Sequence, residues 1–207
     1  MPAIDLTPSS AKRGRPGYDQ DTVLTIAVEL FNQHGYDATS MGKLADRLGI
    51  SKSAIYHHVP SKEDLLRLAL DEALIPLEAV VHAEPDPHSS ADERLEMFLR
   101  ETFRILIAKR PYVTLLLRLR GNTELERSAL ARRRELDHKL AELVTLAQTE
   151  GTLRVDLEPR ATARLLFGMI NSVVDWYRED GPLNASMLEQ DAISMVFEGL
   201  QSKAAKK

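Results

Sequence analysis

T-S-M-G-K-L-A-D-R-L-G-I-S-K-S-A-I-Y-H-H-V-P-S-K, residues 39 to 62, decides the fold. Ser40 is placed to cap a short helix whose Leu44, Ala45 and Leu48 form one apolar face. Gly49 follows, where the chain must turn sharply and a left-handed backbone is cheapest. Ser51 then caps a second short helix that turns Ile55 into the core. Lys52, Ser53, Ala54, Tyr56, His57 and His58 are left on or near the outer face. Two short helices at a steep angle, the second carrying polar, aromatic and cationic groups outward, have the geometry that enters a DNA major groove.

The sequence around this stretch resembles the N-terminal domain of TetR-type transcriptional regulators from about Tyr18 to Leu66. A first helix with Val23, Ile26, Ala27, Leu30 and Phe31 ends in H-G-Y-D-A-T-S-M, then come L-A-D-R-L-G-I-S-K-S-A-I-Y-H-H-V and S-K-E-D-L-L. The resemblance implies that Lys52, Ser53 and Ala54 face base edges or flanking phosphates, and that Tyr56, His58 and Lys62 reach phosphates. Ser40 and Lys43, at the start of the preceding helix, join them as DNA-contact candidates. Gly42 stands where relatives carry a long polar or basic side chain, so one direct reading of a base is missing, and His57 takes over part of that work. Ala54 offers only apolar contact, as to a thymine methyl, whereas Lys52 can donate to guanine.

Charge is divided along the chain in the same sense. The formal net charge is -4, yet residues 11–62 hold seven Lys or Arg against five acids and residues 63–207 sum to -5. The basic part is drawn to DNA and the acidic part repelled, which orients the molecule on approach. Residues 1–17 read as a flexible basic arm. Its A-K-R-G-R-P segment either lies in a narrow minor groove through Arg13 and Arg15 or serves as a solubilising tail.

The 207 residues suffice for one large or two small cores, and 43% hydrophobic content is that of an ordinary globular protein. Alanine, leucine, glutamate and arginine are abundant, which predicts an all-α fold of about nine helices. The expected organisation is a three-helix DNA-binding domain with the helix-turn-helix at residues 18–62, then a helical ligand-binding and dimerisation domain at residues 63–203. Ser61 with Asp64, Ser90 with Glu93 and Ser186 with Glu189 mark helix starts. Pro76 is expected to kink or divide its helix. Helices over 160–178 and 187–200 are apolar over too wide an arc for one-sided packing. A four-helix homodimer interface, which the resemblance also implies, covers the second face and sets two heads on a palindromic operator.

Enzyme chemistry finds no footing: HExxH, a phosphate-binding glycine loop and cysteine are all lacking, and no His pair is spaced to seed a metal site from His82, His88 and His138. No catalytic residue, metal or cofactor is therefore assigned. No run reaches the length of a membrane span, Met1 to Ser10 lacks the apolar core of a signal peptide, and a cytoplasmic location is expected. Phe98, Phe103, Ile107, Tyr112, Leu115, Leu116, Phe167 and Asn171 are candidate lining residues of an effector pocket, each equally readable as plain core. F-G-M-I-N-S-V-V-D-W-Y-R-E-D-G, residues 167–181, is similar to family members that sense an acyl-coenzyme A. That likeness implies an acyl-CoA effector, with Arg118, Arg120 and Arg132 to Arg134 either meeting its phosphates or pairing with Glu124, Glu126 and Glu135. The whole reads as a ligand-responsive regulator, a repressor released by its effector. The alternatives are a constitutive or architectural DNA binder without an effector and a sensor of a hydrophobic drug-like molecule.

Overall fold

A computed structural model describes residues 19–84 and 86–200, and among them every regular element is an α-helix. In chain order these are α1 (Gln20–His34), α2 (Met41–Leu48), α3 (Lys52–Tyr56), α4 (Lys62–His82), α5 (Ala91–Ala108), α6 (Arg110–Leu117), α7 (Glu124–Thr149), α8 (Pro159–Trp176) and α9 (Ala185–Leu200). The basic arm with Arg13 and Arg15 lies outside the described residues. None of the helices is long and apolar enough to cross a membrane.

The caps explain where the chain starts its helices. Asp19, Ser40, Ser51, Ser61 and Thr123 each accept from a backbone N–H of the first turn that would otherwise lack a partner. Gly49 closes α2 at φ 67°, ψ 32°, the left-handed conformation the turn requires. At α9 the structure corrects the expected start: Asn184 Oδ1 accepts from the Ser186 and Met187 N–H groups, so Asn184 is the cap. Glu189 serves another purpose. It is buried and accepts from both Arg100 and Arg104, tying α9 to α5.

Pro76 does not divide α4, which runs unbroken for 21 residues. Proline lacks the N–H that would bond the Glu72 carbonyl, but packing holds the helix together across the gap. Leu65, Leu66, Ala69, Leu70, Ala73, Leu74 and Leu77 are buried along one side of it, each leucine contributing about 1.5–3 kcal/mol by leaving water. α4 packs on α5, α6 and α7, while α7 also lies along α8 and α5.

Polar ties fix α4 laterally. The Arg132 guanidinium on α7 donates to both carboxylate oxygens of Glu78, at 2.6 and 2.8 Å, and to Asp71 at 2.6 Å. Lys109 donates to Glu72 at 2.6 Å. The two-pronged Arg132–Glu78 contact is the strong, geometrically specific kind of ion pair. Its hydrogen bonds hold the Glu78 carboxyl below the ordinary glutamate value against the opposing effect of burial.

A carboxylate held low in the folded state stabilises fully above its unfolded pKa, and this contribution fades as pH falls through the folded one. Melting temperature is therefore expected to drop as pH is lowered past the ordinary glutamate value, and less steeply in Arg132→Met. Parallel pH profiles for the two proteins would remove this pair from the acid sensitivity.

Candidate functional site

Helices α1 to α3 pack around Val23, Ala27, Phe31, Leu44, Leu48 and Ile55, all buried. Ile55 is the single buried residue of α3, so its burial determines which way the rest of that helix faces. Lys52, Ser53, Tyr56 and His57 are exposed, with Ala54 and His58 partly so. α3 ends at Tyr56, and His57 and His58 sit in the turn that follows rather than within the helix. Ser53 shares a 2.9 Å hydrogen bond with the capping Ser51 hydroxyl, which orients it at the helix start. Ser40 and Lys43 are exposed at the start of α2, and the Lys43 ammonium donates to the Ala38 carbonyl at 2.9 Å.

Lys62 has a role that its expected place on a phosphate did not include. Its ammonium donates to the Tyr36 and Thr39 carbonyls at 2.9 and 3.0 Å and lies 4.2 Å from the centre of the Tyr36 ring. Tyr36 in turn packs edge-on against Phe31 with centroids 5.1 Å apart. The first residue of α4 thereby clamps the loop between α1 and α2. The signal was present in the sequence only as a lysine following a cap, a pattern that does not say which backbone lies overhead.

The eight apolar or amide pocket candidates and Arg118 do not share one site. Leu116, Phe167 and Asn171 line a small inner cavity of about 30 Å³, together with Leu77, Leu106 and Leu136; that volume is roughly one water. Phe98 borders a separate open groove of about 520 Å³ between the C-terminal half of α4, α5 and α7, which also touches Pro76. Leu115 and Arg118 belong to a cleft of about 340 Å³ between α1 and α6. Phe103, Ile107 and Tyr112 border none of these spaces: Phe103 is core, and Tyr112 lies beneath the Lys109 ammonium. Linear sequence could not sort them, because a residue lining a void and one filling a core have the same chemistry.

One aromatic pair links the linings of the inner cavity and the outer groove. Phe98 and Phe167 meet edge to face with centroids 6.2 Å apart. On the cavity side stand two charged residues that sequence reasoning did not place there singly: Arg133 and Asp137, one turn apart on α7. Burial pushes the Asp137 carboxyl above its ordinary value although Arg133 and Arg164 pull the other way. Two of the other candidate arginines are committed elsewhere. Arg132 grips α4, and Arg118 donates to the Asn32 carbonyl at 2.7 Å. Asn32 also donates to the Pro111 carbonyl at 2.8 Å, so α1 and α6 are joined by a two-way polar seam.

Among the described residues no group of three His, Cys, Asp or Glu is placed to hold a metal ion. Residues 23–69 match the family described as bacterial regulatory proteins, tetR family, and residues 88–200 match a tetracyclin repressor-like C-terminal domain. The crystal structure of a member of the TetR transcriptional regulator family from Streptomyces coelicolor A3 is 44% identical, with 94% of this chain and 98% of that one covered at a TM-score of 0.81. The fatty acid metabolism regulator protein of Bacillus subtilis is 23% identical over 93% of this chain and 100% of its own. AibR, solved with isovaleryl coenzyme A and operator DNA, shares the fold at a TM-score of 0.69 and 23% identity, covering 86% of this chain and 97% of that one.

The exposed Lys52 and the engaged Lys62 should separate in the salt dependence of DNA binding. Lys52→Ala is expected to lower the slope of log affinity against log salt by about 0.9 per side chain lost. Lys62→Ala should leave the slope near its original value while lowering the melting temperature. Equal slope changes in the two variants would return Lys62 to the phosphates.

Proposed function

The chain belongs to the TetR family of bacterial regulatory proteins, whose members are DNA-binding regulators and not enzymes, and from that premise we propose a repressor gated by an acyl-coenzyme A thioester. The DNA-binding unit is residues 18–62, with Lys52, Ser53, Ala54, Tyr56 and His57 on the groove and Ser40, Lys43 and His58 at its edges. Residues 63–203 receive the effector and form the dimer. The effector class is supported by the coenzyme A thioester bound to AibR and by the fatty acid regulator of similar length.

The observation that carries the regulatory reading is α4. It begins at the Ser61 cap beneath the reading unit and ends at His82, with Pro76 on the outer groove and Leu77 on the inner cavity. A ligand that widens the space between α4, α5 and α7 must displace α4, and with it the clamp at Lys62. Only a difference in ligand affinity between the two positions can shift the balance. A coupling of about 1–3 kcal/mol weakens operator binding about 5- to 150-fold.

Dimerisation is supported by where the apolar surface lies. Of the ten large hydrophobic side chains that are exposed among the described residues, five (Leu165, Trp176, Leu183, Met187 and Met195) are on α8, α9 or the link between them. A second copy packed there gives a two-fold dimer whose heads sit about 34–36 Å apart, or a multiple of a DNA turn.

Selection of bound fragments from a random DNA library, repeated with acyl-coenzyme A thioesters and their free acids, tests the proposal. A palindrome that a thioester releases is the expected result. A palindrome that no small molecule releases would leave a constitutive DNA binder, and no enriched sequence would overturn the DNA-reading assignment itself. Leu165→Asp is expected to turn the dimer into a monomer in sedimentation and to cost most of the operator affinity. Pro76→Ala is expected to change inducibility more than affinity for the free operator, and equal losses would reject Pro76 as the point of flexure.

A further inference from the structure

Among the described residues, most part-buried charged side chains are answered by a partner, Asp92 being one that is not. Glu189 receives Arg100 and Arg104, Asp71 and Glu78 receive Arg132, and Glu72 receives Lys109. Glu126, buried, accepts from the backbone N–H groups of Arg120, Gly121 and Asn122. Arg133 and Asp137 are two more exceptions. Both border the inner cavity, yet among the described residues neither makes a hydrogen bond or an ion pair. Asn171, the neighbouring amide on α8, likewise makes none among the described residues. Three polar groups of different character thus line one small space without a hydrogen-bond partner among the described residues, and their polar atoms are open for a ligand to take up.

We propose that this cluster is a clamp for a neutral group carrying both a hydrogen-bond donor and an acceptor, as a secondary amide does on its two opposite edges, at the head of an apolar chain. The inference rests on the reading that an effector enters this part of the molecule, and it names the chemistry by which the effector is chosen. An ionised carboxylate such as Asp137 can only accept, and a guanidinium can only donate. Asp137 therefore requires an N–H or O–H from the ligand, and Arg133 a carbonyl or similar oxygen, with Asn171 able to serve either. A free carboxylate would satisfy Arg133 but meet repulsion from Asp137, and an ammonium would suffer the reverse. The rest of the cavity wall is apolar, including Leu77, Leu106, Leu136 and Phe167.

The chain of the ligand needs more space than about 30 Å³. Phe98, which meets Phe167 of the cavity edge to face, lines the outer groove of about 520 Å³. Rotation of those rings joins the two spaces and lets an alkyl chain pass from the polar clamp toward Pro76. The pantetheine arm of coenzyme A carries amides near its thioester, so the clamp reads that arm and has no need of the nucleotide.

Calorimetric titration of the full chain with butanoyl, octanoyl and dodecanoyl thioesters of N-acetylcysteamine, which keep the amide and lack the nucleotide, tests this against the matching S-ethyl thioesters and free acids. The amide-bearing thioester of the preferred chain length is expected to bind at least about tenfold more tightly than the other two, the scale of a hydrogen bond to a charged group. Asp137→Leu should abolish that preference, and Asp137→Asn, which keeps an accepting oxygen, should retain most of it; melting temperature and operator affinity in the absence of ligand report whether each variant is folded. Equal affinity for the three probe classes, or a preference that survives Asp137→Leu, overturns the clamp. Binding of coenzyme A thioesters without binding of the truncated ones overturns the clamp and leaves the effector reading standing. Failure of every thioester, with coenzyme A or without, removes both.

Discussion

Helix α4 is held by polar contacts at its first turn and along its middle, and the placing of the helix-turn-helix on the rest of the molecule depends on them. Lys62 pins its first turn to the Tyr36 and Thr39 carbonyls, Arg132 grips its middle through Asp71 and Glu78, and its last turns border both the inner cavity and the outer groove. A helix transmits displacement because its backbone hydrogen bonds leave it little freedom to compress or bend. Pro76 is the exception along its length, since it removes one of those bonds at the level of the groove. The rigid portion runs toward the DNA-reading unit, and the softened portion lies where the molecule has room.

The second connection, between α1 and α6, is of a different kind. Asn32 donates to the Pro111 carbonyl while its own backbone carbonyl accepts from Arg118, and its buried side-chain oxygen has no partner among the described residues. Such a seam is directional and short in range, so a small slide of α6 against α1 breaks it outright. The apolar contacts of α4 tolerate the same slide far better.

Ion pairs in this protein follow the same division of labour. The pairs that cross between helices, α7 to α4, α5 to α9 and α6's leading residue Lys109 to α4, fix relative positions that a non-directional core leaves free. Arg133 and Asp137, which make no hydrogen bond or ion pair among the described residues, border the inner cavity. Phe167 on that cavity meets Phe98 on the outer groove edge to face, so one aromatic contact links the linings of the two spaces.

Local rules carried much of the reading. Caps at Ser40, Ser51 and Ser61, the left-handed turn at Gly49 and the spacing of apolar residues depend on neighbours within four positions, so the sequence by itself determined the helices, the helix-turn-helix and the side of α3 that faces outward. It also determined family membership, because that motif is contiguous. The tertiary structure alone decided what each long side chain touches. Lys62 lies under a loop 26 residues away, Glu189 meets arginines 85 and 89 residues away, and Arg132 reaches acids 54 and 61 residues away. Periodicity placed Asn184 and Ser186 near a helix start without choosing between them, and it let α4 pass Pro76 only once the buried face of that helix was known. Cavities are the extreme case. A void is a property of several helices at once, and Phe103 filling a core is chemically the same residue as Phe167 bordering a space.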